Sequence, residues 1–376
     1  MVSQLDDCRD TLERHQLTHP DGRRFYVYGT LDGNLDAQRT TGAGEPAVLH
    51  RRFDRLTGSW VLISPRRNTR PGGNLGASGD GPCPLCPGGP ELPWPFEVAV
   101  FDNRFPSLSV PAPPGGGPLT AASTGRCQVV VYTPHHGHRA LTELSERQLI
   151  ELVAVLRERT AQLWDEGHEY VMAFENRGSA VGATLDHLHG QLYAFGHLPP
   201  TIRTKVARHE AHRRDERGCL GCTLVAEEPD RQIVANDTFS VAVPFAPRWP
   251  FEVHVRARPH GLGRLADLSD AQLIDLAAAL HDVVARYDGL YARPLPYMMG
   301  VQESPVAGMA DWHLHVEFLP PHRGPDRLKV RASVETVLGV FINDTVPEAS
   351  AARLASVAIA PWPGRRTAVP QIVDAT

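Results

Sequence analysis

Apolar residues recur at helical spacing over residues 145–165, at Leu149, Leu152, Val153, Leu156 and Leu163, which predicts one amphipathic helix. Ser145 at its start and Gln148 three residues on predict an N-cap with a capping box. Short apolar runs predict strands over residues 97–101 and 128–132 before this helix, and over 170–174 and 191–195 after it. Weaker strand signals lie at 24–28 and 59–64. Between residues 72 and 89 the chain is rich in Gly and Pro, so something other than secondary structure must organise that loop.

The same order then recurs. Leu268-Ser269-Asp270-Ala271-Gln272-Leu273 echoes Leu144-Ser145-Glu146-Arg147-Gln148-Leu149, and a second helix runs on to about Tyr291. Strands are predicted before it (239–243, 252–255) and after it (297–301, 313–318). Pro259-His260 echoes Pro134-His135, and His313-Leu314-His315-Val316-Glu317 echoes His187-Leu188-His189-Gly190-Gln191. The offset stays at 124 to 126 residues, which identifies an internal duplication. The expected fold is α+β: tandem duplicated units of mainly antiparallel sheet with helices packed on them, the two sheets packed together. The expected organisation is an N-terminal extension of unassigned role (1–50), a first repeat (51–200), a connector (201–235), a second repeat (236–357) and a C-terminal tail (358–376).

Composition narrows the function classes. Lys and Arg number 38 against 43 Asp and Glu, a net charge of −5, so no excess of positive charge is present to meet nucleic acid or an anionic membrane. No apolar run approaches the roughly 20 residues of a membrane span, and the N-terminus lacks the pattern of a signal peptide. A cytoplasmic protein is expected. Of 6 cysteines, 4 fall in two C-x-x-C pairs, a spacing that suggests metal or redox chemistry before disulfides.

The strongest local signal is Asp186-His187-Leu188-His189-Gly190-Gln191 at the start of a strand. Alternate strand residues share a face, so His187, His189 and Gln191 can line one site. An imidazole can attack phosphorus, an amide can donate to a phosphate oxygen, and a second imidazole can bind metal. The plain alternative is a pair of exposed strand histidines. The preceding loop, Phe174 to Thr184, is rich in glycine and small polar residues that let backbone N–H groups approach an anion, although an ordinary turn would look the same. Cys83-Pro84-Leu85-Cys86 offers two zinc ligands where a structural site needs four. Histidines 135, 136, 138 and 187 are available to complete a Cys₂His₂ set. Cys219-Leu220-Gly221-Cys222, with His209 and His212 shortly before it, reads as two buried or loop thiols, a second zinc being the alternative. His254, His260 and His281 read as surface or packing histidines.

Taken together, these motifs resemble the galactose-1-phosphate uridylyltransferase family, two-repeat members of the histidine-triad superfamily, over about residues 53–357. The resemblance implies a structural Zn²⁺ held by Cys83, Cys86, His136 and His187. It implies His189 as nucleophile and Gln191 as its phosphate partner. Ser64-Pro65-Arg66-Arg67-Asn68-Thr69-Arg70-Pro71 places Arg67 and Arg70 near the phosphates, and Val100 to Phe105 implies Asn103 and Phe105 at the nucleoside. Phe174-Glu175-Asn176-Arg177-Gly178 through Gly182 implies roles for Asn176, Gly182 and Thr184. Lys329 and Glu335 fall where the family holds the hexose phosphate and sugar hydroxyls. Dimers are usual in the family, so a homodimer is expected, and some members complete the active site across the interface.

The chain also departs from the pattern. Leu188 replaces a proline and Asp186 precedes the histidines. The positions of a second metal site found in some members read as Lys205, Gln302, His315 and Glu317, so that site is not carried over. The implied reaction moves UMP between a UDP-sugar and a sugar 1-phosphate, of the UDP-glucose plus galactose 1-phosphate type, by a ping-pong route through uridylyl-histidine. Attack needs neutral imidazole, so transfer should fall off in acid. Two rivals stand beside it. The same histidine could serve another sugar phosphate or base, or a phosphorylase or hydrolase. A zinc-stabilised nucleotide-binding protein without catalysis is the third reading.

Overall fold

The structure, a computed structural model, describes residues 11–19, 21–31, 49–69, 83–215, 217–360, 362 and 368–375. The first unit supplies strands β1 (Thr11–Thr18), β2 (Arg24–Tyr28), β3 (His50–Asp54), β4 (Ser59–Ile63), β5 (Val98–Asp102), β6 (Thr120–Ala122), β7 (Gly125–Val131), β8 (Tyr170–Arg177) and β9 (His189–Phe195), with helix α1 (Glu146–Asp165) between β7 and β8. Helices α2 (Pro200–Arg214) and α3 (Leu220–Ala226) follow. The second unit comprises β10 (Gln232–Ala235), β11 (Phe239–Ala242), β12 (Val253–Ala257), helix α4 (Asp270–Leu290), β13 (Tyr297–Gln302) and β14 (His315–Leu319).

Both long helices start as their sequences predict. Ser145 Oγ accepts from Gln148 N at 3.3 Å, and Gln148 Oε1 accepts from Ser145 N at 3.0 Å. Ser269 and Gln272 repeat the reciprocal pair at 3.4 and 2.9 Å. Each pair satisfies two of the N–H groups that a helix start leaves open. Both helices lay their apolar faces on one side of the sheet, where Leu149, Leu152, Leu156, Leu276, Val283 and Tyr287 join a single core. Arg157 of α1 donates to Asp270 Oδ1 at 3.0 Å at the start of α4 and so ties the helices to each other.

The two units join differently from the expected packing of sheet on sheet. Their sheets run on edge to edge through antiparallel pairing of β8 with β13, with Asn176 opposite Met298 and Glu175 opposite Met299. Twelve described strands thereby form one sheet in the order β10-β11-β12-β14-β13-β8-β9-β7-β5-β2-β1, with Gln371–Asp374 (β17) as the last strand beyond β1. Two unpaired sheet edges would each expose a row of backbone donors and acceptors; pairing them removes both rows at once. Side chains lock the seam: Arg177 donates to both carboxylate oxygens of Asp288 at 2.7 and 3.0 Å, and Tyr297 OH donates to Glu175 at 2.9 Å.

Segments without an assigned role also build the sheet. After β14 come β15 (His322–Gly324), β16 (Arg327–Leu328), helices α5 (Ser333–Leu338) and α6 (Pro347–Ala355), and β17 (Gln371–Asp374). β17 pairs in parallel with β1, with Thr11 opposite Gln371, and Arg14 Nε donates to Asp374 at 2.8 Å. The 201–235 segment likewise carries β10, which pairs with β11. A smaller sheet of β4-β3-β6 stands apart from the large one. On the face opposite α1, Leu85, Leu92 and Trp94 pack with Phe25 and Phe101 in a second apolar cluster, which anchors the Cys83–Cys86 turn.

Among the buried carboxyls of this framework, Glu175 at the seam and Glu303 beneath α1 are each pushed up to about 7 by burial. Between the ordinary carboxylate range and pH 7, both stay protonated in the fold and ionise in the unfolded chain. Stability therefore falls as pH rises through that window, by on the order of 3 kcal/mol for a shift of this size at one site. Chemical denaturation at pH 5 and pH 8 should show the decline, and Glu175→Gln should make it shallower. An unchanged slope in that variant would mean that Glu175 is ionised in the folded protein.

Candidate active site and metal centre

β9 runs between β7 and β8 and carries the histidine motif at its start. Its inner residues Gly190, Leu192 and Ala194 are buried, whereas His189, Gln191 and Tyr193 lie on the half-open face. Gly190 has no room for a side chain, because a Cβ there would fall 2.0 Å from the hydroxyl of Tyr132. His187 precedes the strand proper, is fully buried, and so does not share the open face with the other two. Leu188, in place of proline, packs into the main core.

His187 makes three connections. Its Nε2 lies 2.8 Å from the carbonyl of Thr133, to which it donates, so the lone pair sits on Nδ1. Nδ1 lies 3.6 Å from both Cys83 Sγ and Cys86 Sγ, and Cys86 Sγ lies 3.5 Å from His136 Nδ1. The four ligand atoms are all within 4.8 Å of one another. Two thiols cannot both donate to one imidazole lone pair, whereas a cation at the centre is bound by all four. Zinc with sulfur at about 2.3 Å and nitrogen at about 2.0–2.1 Å in a tetrahedron sets S···N separations near 3.6 Å. The observed spacings fit that group. Burial lowers the pKa of His187, which keeps it neutral as a ligand must be.

The backbone carbonyl of His187 provides the third connection. It lies 2.7 Å from Nδ1 of His189, which donates to it and thereby carries the lone pair on Nε2. His189 lines a cleft of about 230 Å³ with Asn176, Arg177, Gly178, Arg139 and Pro296, so the seam between the units forms one wall. The approach loop turns at Gly178 and Gly182, both at positive φ (89° and 83°). Gly182 and Thr184 follow on this loop, outside the lining itself. The loop is held from below: Arg139 Nη1 donates to the carbonyl of Asp186 at 3.1 Å and also to that of His136.

Other expected residues are placed as follows. Arg67, on a short 3-10 turn over Pro65–Thr69, donates to Tyr193 OH and Ser107 Oγ, both at 2.9 Å, which sets it over the face carrying Gln191. Asn103 accepts from the backbone N–H of Phe105 at 2.8 Å, and both stay half-buried just beyond β5. Arg70 lies outside the described residues. Lys329 and Glu335 do not line the cleft; they form a buried ion pair with each other at 2.8 Å, which holds the Glu335 carboxyl below its ordinary range.

Sequence reading passed over three participants. Tyr193 is in phase with His189 and Gln191, and the strand alternation could have revealed it. Arg139 carries no local signal; only the tertiary structure brings it to the loop. His260 is the third: exposed, as expected of a surface histidine, it also lies in a second Cys/His cluster with Cys219, Cys222 and His313. An offset of 124 residues, the one that relates the two helices, carries His136 onto His260. His209 and His212 do not join that cluster, since His209 stacks on Trp312 and His212 meets Thr223. Lys205, His315 and Glu317 form no metal group either: Lys205 Nζ lies 3.0 Å from His315 Nε2 and 2.6 Å from Glu317, so an ammonium group occupies their centre.

The described residues thus form a duplicated α+β body with a C-x-x-C/His cluster beside an ordered strand histidine. Residues 38–199 match the family described as Galactose-1-phosphate uridyl transferase, N-terminal domain, and residues 221–361 match its C-terminal domain. The chain belongs to the galactose-1-phosphate uridyl transferase family. It is 37% identical to galactose-1-phosphate uridylyltransferase of Thermotoga maritima over 82% of this chain and 98% of that protein. A solved uridylyltransferase superposes with a TM-score of 0.75 at 29% identity, covering 82% and 98% of the two chains. An Arabidopsis thaliana ADP-glucose phosphorylase with bound ADP-glucose shares the fold alone, with a TM-score of 0.63 at 21% identity over 82% and 99%.

The four-ligand geometry predicts separable variants. Cys86→Ser should lower metal content and melting temperature together. His189→Ala should keep both, because its side chain is not among the ligands. Equal metal loss in the two variants, measured by elemental analysis, would contradict this division.

Proposed function

We propose that this chain is a hexose-1-phosphate uridylyltransferase that moves UMP from a UDP-hexose to a second sugar 1-phosphate, of the UDP-glucose plus galactose 1-phosphate type. The observation that carries this reading is the hydrogen bond from His189 Nδ1–H to the His187 carbonyl, which leaves Nε2 as the basic nitrogen of a residue that lines the cleft. In the first half-reaction Nε2 attacks the α-phosphorus, a P–N bond forms, the bond to the β-phosphate oxygen breaks and the hexose 1-phosphate departs. In the second, a phosphate oxygen of the incoming sugar 1-phosphate attacks and the P–N bond breaks. The group-transfer potential stays in the P–N bond throughout, so the exchange needs no separate energy source.

Gln191 is the proposed donor to the equatorial phosphate oxygens, supported by its place two residues along the same strand face. Arg67, held by Tyr193, and Arg70 offset the charge of two phosphorylated substrates. Asn103 and Phe105 are assigned to the nucleoside, Asn176, Gly182 and Thr184 to the phosphate-side loop, and Lys329 with Glu335 to the acceptor sugar phosphate. Zinc is the proposed occupant of Cys83, Cys86, His136 and His187, where it supplies a structural tie between loop and strand. His187 itself holds the proton of His189 at Nδ1 through its carbonyl.

The homodimer expected of the family finds support in α5 and its flanks. Val330, Val337, Leu338, Val340, Ile342 and Val346 are more than half exposed in one short stretch, a density of exposed apolar side chains that marks contact surfaces. The same stretch carries Glu335, so a partner seated there would bear on the acceptor residues. A cytoplasmic location fits the free thiols of Cys83, Cys86, Cys127, Cys219 and Cys222, and no described helix is long and apolar enough to cross a membrane.

Mixing the protein with UDP-glucose and no acceptor should add the mass of one uridylyl group, mapped to His189 by peptide analysis and absent in His189→Ala. Galactose 1-phosphate should then discharge it, whereas orthophosphate or water should not. No adduct from UDP-glucose, UDP-galactose or ADP-glucose would favour a binding protein instead. Light scattering should give a dimer mass, and Val337→Asp should shift it toward the monomer; a monomeric wild type would refute the assigned surface.

A further inference from the structure

The second unit repeats the metal centre of the first. Cys219 caps α3 and Cys222 lies in its first turn, His260 follows β12, and His313 stands two residues before His315. Cys219 Sγ and Cys222 Sγ lie 3.4 and 3.5 Å from Nε2 of His313, and Cys222 Sγ lies 3.7 Å from Nδ1 of His260. All four ligand atoms fall within 4.8 Å of one another. These separations bracket the 3.6 Å or so that tetrahedral zinc sets between sulfur and nitrogen.

His313 is prepared as a ligand in the manner of His187, with the ring turned over. It is 2% exposed, and its Nδ1 lies 2.7 Å from the carbonyl of Ala257, to which it donates, so the lone pair points from Nε2 at the two sulfurs. Thiol hydrogen bonds are the rival account, and Cys219 does have the carbonyl of Asp311 within 3.4 Å. That account leaves two sulfurs converging on one nitrogen lone pair, and a second imidazole nitrogen sharing Cys222. One soft divalent cation meets all four groups, and two thiolates with two imidazoles favour zinc. The chain also makes room for this approach: a Cβ at Gly221, between the two cysteines, would fall 2.2 Å from Cδ2 of His313.

We infer that Cys219, Cys222, His260 and His313 form a second structural zinc site, which clamps α3 to the second unit. The clamp acts on the segment that links the repeats. At the far end of that segment Lys205 of α2 reaches His315 and Glu317, and Arg213 pairs with Asp311 at 3.0 Å. The second unit is thereby closed by a metal at one end of α2–α3 and an ammonium at the other. This inference rests on the second cluster alone and does not depend on the proposed reaction.

Elemental analysis of the full chain, purified under reducing conditions, tests it. Wild type should hold two zinc ions per chain, Cys222→Ser one, Cys86→Ser one, and the double variant none. A single zinc that Cys86→Ser removes and Cys222→Ser leaves would overturn the second site while sparing the first. Should Cys222→Ser fail to fold, His260→Ala removes an exposed ligand with little packing. Cobalt-loaded Cys86→Ser protein gives a separate readout: thiolate-to-cobalt absorption should be present, and should weaken when His260→Ala is added. Its absence in folded Cys86→Ser would also overturn the site.

Discussion

One fully buried imidazole organises the centre of this protein. His187 donates through Nε2 to Thr133, offers Nδ1 to two cysteines, and through its carbonyl receives the proton of His189. A buried ring with both nitrogens and its own carbonyl engaged has no spare rotation. The metal loop, the start of β9 and the proposed nucleophile are consequently positioned by the same residue. Loss of any one partner would leave a buried polar atom unsatisfied, which costs more than a surface hydrogen bond contributes. This coupling ties the Cys83–Cys86 turn and the start of β9 to one centre.

The duplicated unit preserves that geometry while its chemistry diverges. His313 mirrors His187 in burial and in donating to a backbone carbonyl, and His315 mirrors His189, with Nδ1 2.9 Å from the carbonyl of His313. The difference lies at Nε2. In the second unit Lys205 approaches it, the ring is buried, and its pKa falls to about 3, chiefly through that burial. A neutral, enclosed imidazole capped by an ammonium group has no route to a phosphate. The copy thus retains the scaffold of the first site as a structural half, and Pro294, Leu295 and Pro296, which lead into its edge strand β13, form part of the cleft wall with His189.

Edge-to-edge joining of the units has a further effect. The cleft forms where β8 meets β13, so residues of both repeats line it, and Arg177 is held there by Asp288 of α4. The approach loop leaves β8 at this seam. Placing the approach loop beside a paired edge gives it a fixed base, while positive φ at Gly178 and Gly182 supplies the turns.

Much of this was legible in the chain itself. Helix periodicity with Ser145/Gln148 and Ser269/Gln272 caps, strand runs, the repeat offset and the C-x-x-C and H-x-H motifs are local signals, each spanning a few residues and set by backbone preferences and side-chain chemistry. Those signals determined the α+β class and the duplication, and they offered Cys83 and Cys86 with several candidate histidines; the family resemblance chose His136 and His187 among them. Only the tertiary structure decided what depends on contacts distant in sequence. It joined the sheets at β8 and β13, brought β17 to β1 at the sheet edge, paired Lys329 with Glu335 and assembled His260 with Cys219, Cys222 and His313. β1 and β17 are laced with polar residues, and β17 is short as well, so their strand character comes from partners rather than from their own pattern. A ligand set drawn from a helix cap, a turn and a strand start has no spacing of its own; its geometry exists only once the sheet has brought those three places together.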